Sequence, residues 1–292
     1  MIMVKLMGGL GNQMFQYAAA RCLALRHNTP LKLDLSFLEG DQTGNTPRRF
    51  ALDCFAISAA KASPLETALM SGRGGSRCGS IVCSVLQKLL GNVMYHERFF
   101  QFDPEVLRLP GKVYLEGYWQ SEHYFAECAG TIRQEFTVQQ PLRGRNRELA
   151  DEIRSVNAVS VHVRRGDYVR DATTNAAHGV CGAEYYTKAI EIVTQYANDT
   201  VFFVFSDEPE WVAEHLKVDF PVRYISHNGD TPHEDLRLMS LCRHHIIANS
   251  SFSWWGAWLS DNPDKIVIAP KRWFNDPSIN TSDLTPTVWQ RI

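Results

Sequence analysis

Met1 to Leu35, MIMVKLMGGLGNQMFQYAAARCLALRHNTPLKLDL, carries one complete supersecondary unit. Met1 to Met7 is a short apolar run that stops at Gly8-Gly9-Leu10-Gly11-Asn12. Beyond it Met14, Phe15, Ala18, Ala19, Cys22 and Leu23 recur at helical spacing, and Leu31 to Leu35 alternates with Lys32 and Asp34 as a strand does. Strand, Gly-rich turn, helix and strand make a βαβ unit, which requires a parallel sheet.

The first half continues with a Gly- and Ser-rich stretch, Ser71 to Ser80, read as a mobile loop in which Arg73 and Arg77 could cradle a phosphate. A strand at Val113 to Leu115 leads into Glu116-Gly117-Tyr118-Trp119-Gln120, and residues 121–136 suit a helix. Gly144 to Val156 is a charged amphipathic helix where the domain boundary is placed, giving lobes 1–145 and 146–292. The pattern then restarts: strands are predicted at 158–163, 201–205, 222–225, 245–248 and 266–269, and helices at 183–196, 208–216, 234–242 and from 254. Alternation in both halves predicts an α/β protein of two Rossmann-like, doubly wound lobes facing a cleft, with ligands at the carboxyl ends of the strands.

The 292 residues carry 30 basic and 32 acidic side chains, a net charge of -2, and are 45% hydrophobic. At roughly 100–200 residues per domain this is about two domains with their own cores, which excludes disorder and small disulfide scaffolds. A nucleic-acid partner is not expected, because the basic excess that phosphate backbones demand is missing. The longest uncharged stretches, Leu6 to Ala20 and Ile246 to Ser260, are interrupted by Gly, Asn, Gln and Ser and fall short of the ~20 apolar residues of a membrane span. The N-terminus has no apolar core before a cleavage site, so secretion is not signalled. A cytoplasmic location is expected, with peripheral contact at the inner membrane left open through the basic, apolar Cys83 to Leu90 segment. The seven cysteines are odd in number and scattered, with no C-x-x-C, and read as reduced packing residues. The sequons at Asn198, Asn249 and Asn280 then read as coincidental, and a glycan would not fit among the aromatics around Asn249.

Four constellations carry chemistry. Val161-His162-Val163-Arg164-Arg165-Gly166-Asp167-Tyr168 puts a His, two guanidinium groups and a carboxylate at the end of a strand. His162 and Arg164 share one face while Arg165 points away, so one arginine can grip phosphate oxygens as the other packs or pairs with Asp167. A bare Arg-Arg-x-Asp is also compatible with a surface ion-pair cluster. Asn249-Ser250-Ser251-Phe252-Ser253-Trp254-Trp255 places hydroxyls between a strand and a helix, where an N-cap and the first N–H groups form an anion site. Its aromatics are either core or a platform for a base or sugar. Ser206 and Asp207 end a buried strand, placed either to accept hydrogen bonds from a base or ribose or to cap the next helix. Gly11, Asn12 and Gln13 follow a turn that is not the dinucleotide fingerprint, since Met14 stands where the third glycine belongs.

These segments, GGLGNQMFQYA, EGYWQSEHYF, HVRRGDY, FSDE and ANSSFSWWGAWL in this order, closely resemble the α1,2-fucosyltransferases of glycosyltransferase family 11 that make H-type and bacterial O-antigen fucosides. The resemblance spans nearly the whole chain. It implies a GT-B fold, GDP-fucose held mainly by the C-terminal lobe, and a β-galactoside acceptor met from the N-terminal lobe. Carried across by motif, Arg164 would bind the β-phosphate, His162 and Asp207 would lie near ribose or guanine, and Ser250, Ser251 and Phe252 would line the diphosphate site. Arg165, Ser206, Ser253, Gly11, Gln13 and Trp119 complete the expected substrate contacts, and Asn12 would sit near the transferred sugar. The sequence departs from the family pattern with His123 where Lys is expected and Glu208 where Asp is usual. The animal members carry a membrane anchor that this chain lacks, so a bacterial cytosolic form is expected.

The implied reaction inverts GDP-β-L-fucose to an α-fucoside on the galactose 2-hydroxyl, with Asp167 or Asp34 as candidate base and Asn12 positioning the hydroxyl. There is no Asp-x-Asp, so no metal and no cofactor beyond the GDP-fucose co-substrate is expected. The rivals are a transferase for another GDP-sugar and a non-catalytic sugar-binding module.

Overall fold

The computed structural model describes residues 1–292 except 44–45, 75–76, 167–168, 170–171 and 217–218, and except the side chains of 77 and 172–174. It divides into two compact units, Met1–Gln139 with Thr281–Leu284, and Gln140–Asn280 with Thr285–Ile292.

The first unit is built around β1 (Ile2–Lys5), which is buried and lies between β2 (Leu31–Asp34) and β5 (Val113–Glu116). With β3 (Ala60–Lys61) and β4 (Val93–His96) they form a sheet of order β3-β2-β1-β5-β4 in which every pairing is parallel. Its helices are α1 (Leu10–Arg26), α2 (Ser36–Glu39), α3 (Pro64–Ser71), α4 (Arg77–Leu89) and α5 (Ala129–Glu135). Gly8 makes the turn into α1 with φ +76°, and a Cβ there would lie 2.5 Å from the Asn12 side chain, so only glycine fits. Most of α1 is buried, and it is tied to α5 by Glu135, which takes a fork of hydrogen bonds from Arg21 (2.8 and 3.0 Å) and one from the Tyr17 hydroxyl (2.5 Å).

Three expectations for this unit are corrected. Cys22 of α1 and Cys128 are joined in a disulfide, whereas Cys54, Cys78, Cys83, Cys181 and Cys242 form none among the described residues. A separation of 106 residues hides that pairing from any spacing rule. Residues 71–80 are not all loop, because α4 begins at Arg77. The single helix expected over 121–136 is two 3-10 turns, Glu122–Tyr124 and Ala126–Cys128, followed by α5, since the Ser121 hydroxyl caps the first turn and donates to the Asp283 carbonyl.

The second unit has β6 (Asn157–Val163) at its centre, flanked by β7 (Thr200–Ser206) and β9 (His244–Ile246). Adding β8 (Val222–Ile225), β10 (Val267–Ala269) and β11 (Gln290–Arg291) gives the parallel order β11-β10-β9-β6-β7-β8. Helices α6 (Gly144–Ser155), α7 (Ala172–His178), α8 (Ala183–Tyr196), α9 (Pro209–His215), α10 (Pro232–Leu241) and α11 (Ser251–Leu259) complete it. Side chains alternate across a strand, so Val159, Val161 and Val163 pack on Tyr186, Ala189 and Val193 of α8. Ala158 and β7's Phe203 and Phe205 face α6 and α10. Coverage on both faces explains the near-continuous apolar runs of β6 and β7. No helix among the described residues is long and apolar enough to cross a membrane.

Candidate active site

In the second sheet the chain runs from β6 outward to β8, then returns to the other side of β6 with β9. The switch point therefore lies between the ends of β6 and β9, where open parallel sheets bind ligands. Arg164 follows β6, Asp207 follows β7, and Asn249-Ser250-Ser251 follows β9.

Asp207 organises the first two of these ends. One carboxylate oxygen pairs with Arg164 Nη1 at 2.8 Å and the other accepts the Arg165 backbone N–H at 3.0 Å. A Cβ on Gly166 would meet that carboxylate at 2.6 Å, so glycine is what lets β6 and β7 finish this close together. Arg165 turns away: its Nε is 3.3 Å from Glu208, and its guanidinium lies 3.9 Å over the Trp211 ring. The two guanidinium groups therefore point to different partners, Arg164 to Asp207 and Arg165 to Glu208 and Trp211. Ser206 Oγ accepts the Glu208 N–H at 3.0 Å. Asp167 lies outside the described residues.

Across the switch point Ser250 caps α11, its hydroxyl accepting the Phe252 N–H at 3.3 Å. Ser253 Oγ donates to the Ser250 carbonyl, and half-buried Ser251 opens the helix. The Phe252 ring lies 5.5 Å from that of His162, which joins the two ends of the constellation. His162 is 6% exposed, and its Nδ1 has no hydrogen-bond partner among the described residues. Burial, helped by the Arg164 charge, pushes its pKa down to about 4, so the ring is neutral near pH 7. Trp254, Trp255 and Trp258 are core, with Trp254 packed on Trp289, which decides the open reading of the aromatics apart from Phe252. Asn249 is buried, its amide donating to the His178 and Trp273 carbonyls.

In the first unit Asn12 Oδ1 accepts from Gln120 at 2.9 Å and the residue is half-buried. Gly11 is buried in α1. Gln13, fully buried, donates to the Gly8 and Arg49 carbonyls and accepts from Ala51 N–H, so it ties the turn to the 49–51 segment. Trp119 is likewise fully buried, set edge-on to Tyr124, with its φ of +56° held by a hydrogen bond from its N–H to Glu97. Asp34 is buried, with one oxygen on the Tyr114 hydroxyl (2.5 Å) and the other on the Ser36 N–H (2.9 Å). Arg73 pairs with Glu116 at 3.1 Å.

Sequence reasoning missed a cluster beyond β8. Asn228 donates to Asp235 at 2.7 Å and accepts from Asn146, whose amide oxygen is 2.8 Å from His227 Nε2. Burial lifts Asp235 to about 6, against the Asn228 hydrogen bond. The polar run Ser226-His227-Asn228 directly after a strand was the available signal, but Asn146 is 82 residues away from its partner.

Two parallel α/β units, the second with an arginine and a capped helix N-terminus at the ends of its central strands, make a GT-B-like fold. Residues 92–292 match the description of glycosyl transferase family 11, and the chain belongs to that family. It is 37% identical over 300 aligned residues to the α-1,2-colitosyltransferase of Escherichia coli, covering 100% of this chain and 98% of that one. It is 32% identical over 298 residues to the O-antigen biosynthesis glycosyltransferase WbnK of Escherichia coli, covering 97% and 98%. A shorter match, 31% over 165 residues, reaches rat galactoside α-(1,2)-fucosyltransferase 1, covering 53% of this chain and 43% of that one. In structure it is similar to the fucosyltransferase NodZ from Bradyrhizobium, with TM-score 0.51, 16% identity and 87% and 90% of the two chains covered. NodZ soaked with GDP-fucose gives the same score at 15% identity over 88% and 92%. This likeness shows the fold.

Proposed function

We propose that the chain transfers L-fucose from GDP-β-L-fucose to the 2-hydroxyl of a terminal β-galactoside, inverting the anomeric centre to give an α1,2-fucoside. The carrying observation is the Arg164–Asp207 pair at the ends of β6 and β7, with the N-terminus of α11 following β9 on the other side of β6 and linked to it by the His162–Phe252 contact. In the proposed step the galactose oxygen forms its bond to C1 as the bond from C1 to the β-phosphate oxygen breaks. The negative charge that collects on GDP is met by Arg164 and the first N–H groups of α11. Neutral His162 offers its unpartnered Nδ1 to a donor hydroxyl. Asn12 is the acceptor-side candidate. The galactose proton goes to a carboxylate, for which Asp167 is preferred because Asp34 already engages both oxygens.

A second reading, colitose as the transferred sugar, is favoured by the 37% identity to a colitosyltransferase. Colitose is L-fucose without its 3-hydroxyl. A site that hydrogen-bonds this hydroxyl rejects the deoxy sugar by about 10⁴-fold, whereas an apolar one discriminates by only about 10²-fold. The test supplies GDP-fucose and GDP-colitose separately with lactose in excess EDTA, and assays GDP and the linkage of the trisaccharide. An α1,2-fucosylated product without metal is expected. Turnover with GDP-colitose alone overturns the fucose reading, and loss of turnover on adding EDTA overturns metal independence.

A further inference from the structure

Helix α4 is amphipathic in the wrong sense for a core helix. Its outward face carries Ile81, Val82, Val85, Leu86 and Leu89, with Leu90 just beyond, and Ile81, Val85 and Leu89 are 67%, 52% and 76% exposed. Positions 81, 82, 85 and 89 follow the helical repeat, so they form one continuous apolar stripe. Leu65 of α3, 68% exposed, adds a further apolar side chain to the same unit. The inward side is polar and is fixed by hydrogen bonds: Ser80 Oγ to the Gly74 backbone (3.0 and 3.1 Å) and Gln87 Nε2 to the Met70 carbonyl (2.8 Å). A patch of this kind on an otherwise ordinary surface marks an interaction site.

Charge identifies the occupant. From Thr67 to His96 the sequence has no Asp or Glu, although the whole chain is net acidic at -2. Arg73 in this stretch is paired with Glu116, and the charges of α4 itself are Arg77 and Lys88. Lys88 is exposed beside Leu89, where its stem can lie along the apolar stripe and its ammonium reach a headgroup. A second copy docking by two-fold symmetry would oppose this acid-free face to itself, like charge to like. An anionic lipid surface complements it: apolar side chains enter the headgroup boundary and basic ones meet phosphates. We propose that α4 is an interfacial helix that seats this protein on anionic phospholipid membranes. The inference is independent of the donor and acceptor assignments.

The test is co-sedimentation of the full chain with vesicles of phosphatidylcholine alone or mixed with phosphatidylglycerol, at low and high salt. Binding to the anionic vesicles, weakened by salt, is expected. Val85→Glu with Leu89→Glu should lower the partition coefficient about ten-fold or more, and Lys88→Glu, which alters no packed residue, about five-fold. Unchanged melting temperatures establish that the variants are folded. Three results would overturn the proposal: no binding to anionic vesicles, equal binding to neutral ones, or a wild-type dimer that the double variant converts to monomer, which would make a second copy the occupant.

Discussion

Arg164 is held by Asp207 at 2.8 Å, and the other oxygen of the same carboxylate takes the backbone N–H of Arg165. One side chain from β7 therefore fixes both the position of a guanidinium and the course of the chain carrying it. Asp207→Asn keeps the shape and removes the charge that orients Arg164. Turnover is expected to fall about ten-fold or more with the melting temperature nearly unchanged, as measured by GDP release and thermal denaturation. Wild-type turnover would remove Asp207 from the donor grip.

Gly166→Ala tests the same relationship from the other side. The added methyl would stand 2.6 Å from the Asp207 carboxylate, which must swing away from Arg164. A raised KM for the donor and a loss of activity similar to that of Asp207→Asn are expected, with little further loss in the double variant because both act on one contact.

Arg165 and Arg164 are neighbours in sequence with different partners. Arg165→Ala removes the stack on Trp211 and the Glu208 contact, so it should cost about 1–2 kcal/mol of stability while donor KM stays close to wild type. A normal melting curve with lost GDP affinity would return Arg165 to the binding site.

His162 gives stability a pH dependence. Its folded pKa is about 4 against 6.5 for an unperturbed imidazole, so between those values the unfolded chain binds more protons. The stabilising contribution is complete above about pH 6.5 and is lost as pH falls toward 4. Asp235, raised to about 6 from 3.8, acts in the opposite direction over pH 4 to 6. His162→Gln should flatten the acid limb of a melting temperature profile between pH 4.5 and 6.5, and Asp235→Asn should steepen it.

The Cys22–Cys128 bridge closes a separation of 106 residues, for which about 2–4 kcal/mol of stabilisation is typical. Non-reducing peptide mapping is expected to recover the linked pair, with a lower melting temperature after reduction. Recovery of two free thiols would contradict the assignment.

The βαβ opening, the second doubly wound unit and the strand-end motifs were legible because each rests on local periodicity or on contiguous residues. His162, Arg164, Ser250 and Phe252 lie in one unit, where strands carry them to the same edge of the sheet. What could not be read depends on distant partners. Gln13 is bonded to Arg49 and Ala51, some 36 to 38 residues away, and no local pattern gives those partners. Trp119 is packed edge-on to Tyr124 and bonded through its N–H to Glu97, which its motif does not show either. The divergence of the two arginines was half visible in the strand period, but Trp211 as the partner of Arg165 was not. Cys83 to Leu90 reads as basic and apolar from the sequence, but not as the outward face of a helix that begins at Arg77, because its glycine- and serine-rich entry reads as a loop.

If the ends of β6 and β9 form the donor site, Arg164 is the leaving-group contact. Steady-state turnover of Arg164→Ala with GDP-fucose and lactose, alongside a melting curve, tests it most directly. A loss of about 10²-fold or more in kcat/KM for the donor in a protein that melts like wild type is predicted. Near-normal kinetics in the folded variant would contradict it.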